Sequence, residues 1–193
     1  MLASDIITRA AEFLHDETHV RWSEAKLLAY VNMAQFALAL VRPELTAEIQ
    51  VLTLVSGSRQ ALPAGGLQLL TLTRNMGADG ATPGRYVALT DRASMDQTLV
   101  TWSATGDEVT EIENYLYDAR VPKEFYVYPP PDPDTNVVTV EASIAMQPGT
   151  LTAASGTLAY DDIYMSPLIH WVLYLAYSLE FDDSNSSTKG LHH

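Results

Sequence analysis

The chain has 193 residues, 47% of them hydrophobic and 18% charged, and 11 Lys and Arg stand against 24 Asp and Glu for a formal charge of -13. This is the composition of a folded chain with room for one or two small domains, and it lacks the basic balance of a tight nucleic-acid binder. The absence of cysteine excludes disulfide scaffolds, thiolate zinc sites, iron–sulfur clusters and thiol catalysis.

The N-terminus, MLASDIITRAAEFL, is amphipathic and carries acids early, unlike a secretory signal, and no run of about 18 apolar residues predicts membrane insertion. Ile6, Ile7, Ala10, Phe13 and Leu14 recur at helical spacing behind Ser4, which is placed to cap a first short helix. Trp22 precedes Ser23, a second N-cap, and Leu27 stands where Trp22 can staple against it, so a second helix starts near Glu24. Pro43 ends it near Val41. This helix carries two apolar rows: Leu27, Val31, Ala34, Leu38 and Val41, and beside them Tyr30, Met33, Ala37 and Leu40. The plainer expectation packs both inside the molecule, one on the first helix and one on the sheet; the alternative gives one row to a subunit interface.

From Ala47 to about Ile144 short strands and turns take over. Glu48 to Val55 and Leu67 to Thr73 are extended, β-branched runs expected to pair as a hairpin around the segment between them. The glycines at 77, 80 and 84 mark a loop, and Asp91 to Leu99 reads as one or two helical turns. Asn114 to Tyr117, Phe125 to Tyr128 and Val137 to Ile144 are further strands. In the last, Val138, Val140, Ala142 and Ile144 alternate with more polar residues, the period of a strand buried on one face. The turn-rich link from Pro129 to Asn136 is short enough for antiparallel neighbours. After a loop from Pro148 to Thr157, Ser166 as N-cap and Pro167 at the first helical position open a last helix, Leu168 to Phe181, apolar on nearly every side. Asp182 to His193 reads as a polar, mobile tail.

Reactive chemistry is sparse. No phosphate-binding loop and no nucleophile elbow occur. His15 and His19 have helical metal-ligand spacing, but Asp16 stands where a zinc-protease helix needs glutamate and no third ligand follows. His170, beside Trp171, is expected as a satisfied core or interface histidine. Asp161 and Asp162 are adjacent, so their carboxylates diverge, and capping of the last helix explains them better than calcium or glycosidic chemistry. No metal, cofactor or catalytic residue is assigned. Ten tyrosines, concentrated at Tyr115, Tyr117, Tyr126 and Tyr128 and around the final helix, suit surfaces covered by a partner as well as ordinary core filling.

Several segments together resemble a known family. They are Arg21-Trp22-Ser23 followed by Leu27-Leu28-Ala29-Tyr30-Val31-Asn32-Met33-Ala34-Gln35 and Arg42-Pro43; Gln60-Ala61-Leu62-Pro63 before Leu67-Gln68-Leu69-Leu70; Tyr115-Leu116-Tyr117-Asp118, Pro122 and Phe125 through Pro130; and Trp171-Val172-Leu173-Tyr174 with Ala176-Tyr177-Ser178. In this order they resemble tailed-bacteriophage head-to-tail adaptor proteins, the connector or gatekeeper ring below the portal. The chain departs at Leu175, where the family often carries arginine, and in its length after Phe181.

The resemblance implies an α+β fold in which N-terminal helices and a C-terminal helix form a bundle joined to a central antiparallel β-sandwich or barrel-like domain. The expected divisions are 1–45, 46–150 with a short helix near 91–99, and 158–193. It also implies a structural virion protein of the neck, made in the host cytoplasm and not an enzyme. Twelve copies would form a ring between the portal and a tail tube or nozzle protein, and DNA would pass through without specific binding. Trp171, Tyr174, Tyr177, Leu27, Tyr30 and Val31 are the expected portal or subunit interface. Tyr126, Tyr128 and Pro130 are the expected tail-facing surface. Competing classes are a receptor- or glycan-binding β-module of a phage tail, whose strand aromatics would line a groove, and a cell-wall hydrolase. The latter needs a carboxyl of raised pKa, for which Glu124 and Glu141 are arbitrary examples.

Overall fold

The computed structural model describes residues 1–99, 101–103, 109–134 and 136–189. Their elements run α1 (Ala3–Phe13), α2 (Glu24–Val41), β1 (Ala47–Thr53), β2 (Arg59–Ala61), β3 (Gly66–Met76), β4 (Pro83–Tyr86), β5 (Ala88–Leu89), α3 (Arg92–Thr98), β6 (Asn114–Tyr117), β7 (Glu124–Tyr128), β8 (Thr139–Met146) and α4 (Met165–Lys189). The chain divides into two compact units, Met1–Arg42 with Pro148–His193, and Pro43–Gln147.

In the first unit α1, α2 and α4 each touch the other two. Helix α2 starts at Ser23, whose hydroxyl accepts the Lys26 amide at 3.3 Å, and it stops at Arg42, before Pro43. Helix α1 starts earlier than Ser4 would set it. Leu2 bridges Thr157, and the Ala3 and Ser4 amides donate to the Gly156 and Ala154 carbonyls at 2.9 and 2.8 Å. A long-range loop thus satisfies the orphan donors that a local cap would have taken.

Between the two helices the Asp16 carboxylate accepts the amides of Val20, Arg21 and Trp22 at 2.9, 2.9 and 2.6 Å. The Trp22 bond contributes most to holding this carboxyl below its ordinary pKa, helped by the other two amides. The same loop places His15 and His19 in the left-handed region, at φ 52° and 55°, so their helical spacing is not realised on a helix.

Leu27, Tyr30, Val31 and Ala34 of α2 are buried, while Met33, Leu40 and Val41 are exposed. The expectation that both apolar rows pack internally is therefore corrected, because the helix is rotated so that its buried face cuts across the two rows. On that buried side Gln35 donates to Asn32 Oδ1 at 2.8 Å and to the Gly149 carbonyl at 2.9 Å. Asn32 exchanges two bonds with the Leu151 backbone, and Tyr160 donates to the Gln35 carbonyl at 2.7 Å. Side-chain amides thus replace the missing regular partners of the 148–160 loop. By length and composition alone α2 is apolar enough to cross a membrane, with mean hydropathy 1.2 over its 18 residues; its buried face and this polar network instead serve a protein core.

Helix α4 begins at Met165, after a 3-10 turn at Asp162–Tyr164, one residue before the expected cap. Pro167 still lies in the first turn, where its missing amide leaves no bond unmade. Asp161 makes no side-chain cap bond, and Asp162 instead pairs with the Met1 ammonium at 3.2 Å. The α4 backbone continues to Lys189, beyond the expected end at Phe181 and through part of the predicted tail; residues 190–193 lie outside the described residues.

The second unit holds two four-stranded sheets, ordered β1-β8-β3-β4 and β2-β7-β6-β5. The first is antiparallel throughout, and the second contains one parallel pair, β5 with β6. Residues of both sheets share one core, including Leu69, Leu72, Val140 and Ile144 from the first and Phe125 and Val127 from the second. That shared core makes the unit a sandwich.

Two expected pairings are corrected. β1 and β3 do not form a hairpin, because β8 runs between them. β7 and β8 are not neighbours, because the proline-rich link carries the chain from one sheet to the other. In each case the alternating face of β8 decides the outcome: Val140, Ala142 and Ile144 are fully buried, which suits a central strand better than an edge. Asn75, at 1% exposure, ties β3 to the chain before β6. Its side chain donates to the Ile112 carbonyl at 2.7 Å and to the Arg85 carbonyl at 3.1 Å, and accepts the Ile112 amide at 2.7 Å.

Asn75→Ala would orphan those buried backbone groups and is expected to cost about 2–4 kcal/mol in urea unfolding, against a near-zero effect for Gln50→Ala on the open strand β1. Asp16 has a folded pKa below its unfolded value, so its contribution is present above the ordinary carboxyl range and is lost as pH falls through the folded value. Asp16→Asn is expected to lower stability at pH 7. The gap between the two chains should close as unfolding is measured at progressively lower pH.

Candidate interface surfaces

Residues three apart on a helix project from neighbouring positions of one face. Trp171, Tyr174 and Tyr177 of α4 are spaced in this way and are 43%, 63% and 47% exposed. The Trp171 and Tyr174 rings lie 6.2 Å apart at 58°, which leaves a tilted aromatic pair on the surface. Beside it a groove of about 200 Å³ runs between α4 and α2, floored by Ala34, Ala37, Leu38 and Leu168 and walled by Val41 and Trp171. Small residues on α2 create the groove, and Val41, which lines it, is more than two-thirds exposed. Apolar residues exposed side by side are a feature of interaction surfaces.

The other three residues expected here are elsewhere. Leu27, Tyr30 and Val31 are inside the helical unit, where Tyr30 packs 6.3 Å from the ring of Trp22. They therefore have no surface to offer a partner. The sequence pattern left undecided which α2 residues face outward, and Met33, Leu40 and Val41 occupy that place. A second groove of the same unit, about 550 Å³, is lined by Arg9, Phe13, Ile163 and His170 among others. His170 is exposed there and is not a core histidine.

On the β unit the expected tail-facing residues are only partly available. Tyr126 is half-buried, with the Trp102 ring edge-on at 6.1 Å and the Arg92 guanidinium 5.2 Å over its face. Trp102 is in turn fixed by a 2.7 Å bond from its indole nitrogen to Asp96. Tyr128 is half-buried against the same cluster, and Pro130 is buried, so the proline ring is withdrawn from the surface. A cavity of about 330 Å³ beside Tyr126 is lined by Asp91, Arg92, Tyr117, Asp118 and Arg120. Arg120 forks onto Asp118 with bonds of 2.8 to 3.1 Å and holds that carboxyl down at about 2. Of the charges lining this cavity, Arg120 and Asp118 pair with each other and Arg92 lies 3.8 Å from Asp96.

The carboxylates named as hydrolase examples are also engaged. Arg59 grips Glu124 through both carboxylate oxygens and holds its pKa below the ordinary range, the opposite of what a general acid requires. Glu141 pairs with Arg74 at 3.1 Å. Tyr115 is buried in the core, and with Tyr126 covered by Arg92 the strand tyrosines do not form an open aromatic groove of the kind a glycan stacks on. Among the described residues no three His, Asp or Glu gather as a metal site.

Sequence reasoning passed over the exposure of the first sheet's edges. Ile49 and Val51 of β1 and Tyr86 of β4 are open to solvent, and the only available signal was that apolar residues also occupy the non-core alternation of those strands.

No curated protein matches the chain. The family described as SU10 adaptor protein matches residues 1–192, nearly the whole chain. The chain therefore belongs to the SU10 adaptor protein family and is a bacteriophage structural protein.

Proposed function

We propose that this protein is a head-to-tail adaptor whose copies, twelve by the family resemblance, form a ring below the portal. In that position it links capsid to tail in the virion neck, after synthesis in the host cytoplasm, and lines a channel for DNA. The whole-length family match carries the reading. The exposed aromatic row of α4 and its apolar groove supply a surface for the portal or an adjacent subunit, and the β unit, around Tyr126 and Tyr128, meets the tail tube or nozzle.

The charge of -13 suits a conduit, because acidic walls repel phosphate and leave the passing DNA unbound. A ring of identical copies needs heterologous contacts, so each subunit presents two different faces. The mechanism asked of the protein is therefore geometric: bury apolar area at the portal and between copies, and expose acids to the lumen.

Native mass spectrometry of the purified protein, alone and with its portal, tests this. A stoichiometric ring on portal addition is the expected result, and a protein that never binds portal while glycans or cell wall retain it would overturn the reading. Tyr174→Ala removes a side chain that is 63% exposed, so stability should change by less than about 1 kcal/mol, and Trp171→Ala, at 43% exposure, by about 1–2 kcal/mol. Assembly with the portal should weaken by about tenfold or more, the loss of a buried aromatic anchor at an interface.

A further inference from the structure

The first sheet of the β unit ends on two strands that have no further partner among the described residues, β1 and β4. We infer that these edges pair with each other between neighbouring copies, so that β4 of one subunit lies antiparallel to β1 of the next and the sheet continues around the assembly. The inference rests on the ring reading above and names the surfaces that would close it.

The topology permits this without distortion. Four strands alternate in direction, so β4 runs opposite to β1, and cyclic repetition sets the two edges antiparallel again. The edges are different surfaces, as a ring contact requires. The side chains also fall on matching faces. The cross-strand row Val51, Glu141, Arg74, Tyr86 carries β1 and β4 residues on the same outer face. Tyr86, 66% exposed, and Ile49, 75% exposed, thus project from that face at opposite ends of the sheet. Opposed across a joint, they form the aromatic and β-branched pair that stabilises antiparallel strands.

On the other face the register that opposes Tyr86 to Ile49 brings Arg85 diagonally beside Glu48, within reach of long side chains. β1 carries an acid and no base, and β4 a base and no acid. Arg85 is 64% exposed, and its ion pair with Glu113 is long, at 3.8 Å, and open to solvent on both sides, so exchanging it for a partner's carboxylate costs little.

Edge protection points the same way. The second sheet ends on strands of three and two residues, too short to template another chain, whereas β1 is seven residues long. β1 contains neither proline nor lysine and bears an exposed isoleucine. Such an edge is an aggregation liability unless something pairs with it.

The chain has no cysteine, so the introduced thiols are the only ones it brings, and the single variants control for bonds to the portal. Within one subunit Ile49 and Tyr86 are separated by two intervening strands, about 14 Å at the spacing of neighbouring strands, beyond disulfide reach. The double variant Ile49→Cys/Tyr86→Cys, assembled with portal and oxidised, is expected to give a ladder of covalent multimers on a denaturing gel, and each single variant is expected to stay monomeric. A ring without a ladder would overturn the edge pairing and leave the ring reading intact. A covalent dimer from Ile49→Cys alone would overturn it in favour of a two-fold contact between β1 strands. Failure to assemble by the cysteine-free chain itself would overturn both. In that same chain Glu48→Arg and Arg85→Glu should each weaken assembly about tenfold and restore it when combined; independent, additive losses would also overturn the pairing.

Discussion

The β unit depends on a pairing that closes late in the chain. β8, at Thr139–Met146, lies between β1 and β3 and bonds to both, so the first sheet is incomplete until a strand some 70 to 90 residues downstream of its partners arrives. Its inward face of Val140, Ala142 and Ile144 holds the two sheets together, because those side chains meet Leu69 and Leu72 on one side of the core and Phe125 and Val127 on the other. The loops are constrained in turn. With β7 in one sheet and β8 in the other, the Pro129 to Asn136 link has to cross the sandwich, and prolines suit a path with no ladder to donate to. The edges β1 and β4 follow from the same constraint, since a central β8 leaves β1 outermost.

The helical unit solves a similar problem with polar groups. The 148–160 loop lacks regular partners; Asn32 and Gln35 supply them from the buried side of α2, and Tyr160 of the loop donates back to the Gln35 carbonyl. A side-chain amide both donates and accepts, so two such residues tie a loop down where purely apolar packing would leave carbonyls unsatisfied. Polar residues thus occupy part of a face that a reading by hydrophobicity would assign to leucine. The remaining apolar residues of α2 are displaced outward, and Met33, Leu40 and Val41 reach the surface.

This explains which features were legible from the sequence. Where the deciding chemistry is local, residue types sufficed: Ser23 and Pro43 bound α2, Asp91 caps α3, and the alternation of β8 reads directly as a half-buried strand. Where the decision is long-range, they did not. Ser4 was a reasonable cap until the Gly156 and Ala154 carbonyls took its role, and β1 with β3 was a reasonable hairpin until β8 separated them. The interface residues divide in the same way. Trp171, Tyr174 and Tyr177 share a face by helical spacing alone, whereas the burial of Leu27, Tyr30, Val31 and Pro130 depends on neighbours distant in sequence. His170 illustrates the limit, since its apolar context argued for a core or an interface place and left the two undecided, and helix rotation put it at the surface.

Charge and apolar exposure play complementary parts in the proposed assembly. With -13 on each copy, approach between free subunits is opposed at distances where the net charge acts, but salt confines that repulsion to about 8 Å at physiological ionic strength. Inside that distance the open β1 edge and the aromatic row of α4 are attractive, and neither carries much charge of its own. On the proposed reading, net charge keeps free copies apart while these surfaces adhere on contact. Anything that concentrates copies on a template supplies the difference, because holding subunits side by side replaces the cost of encounter with a high local concentration. In the proposed ring, long-range repulsion with short-range adhesion makes assembly conditional on the template, which a larger core or a neutral surface would not do.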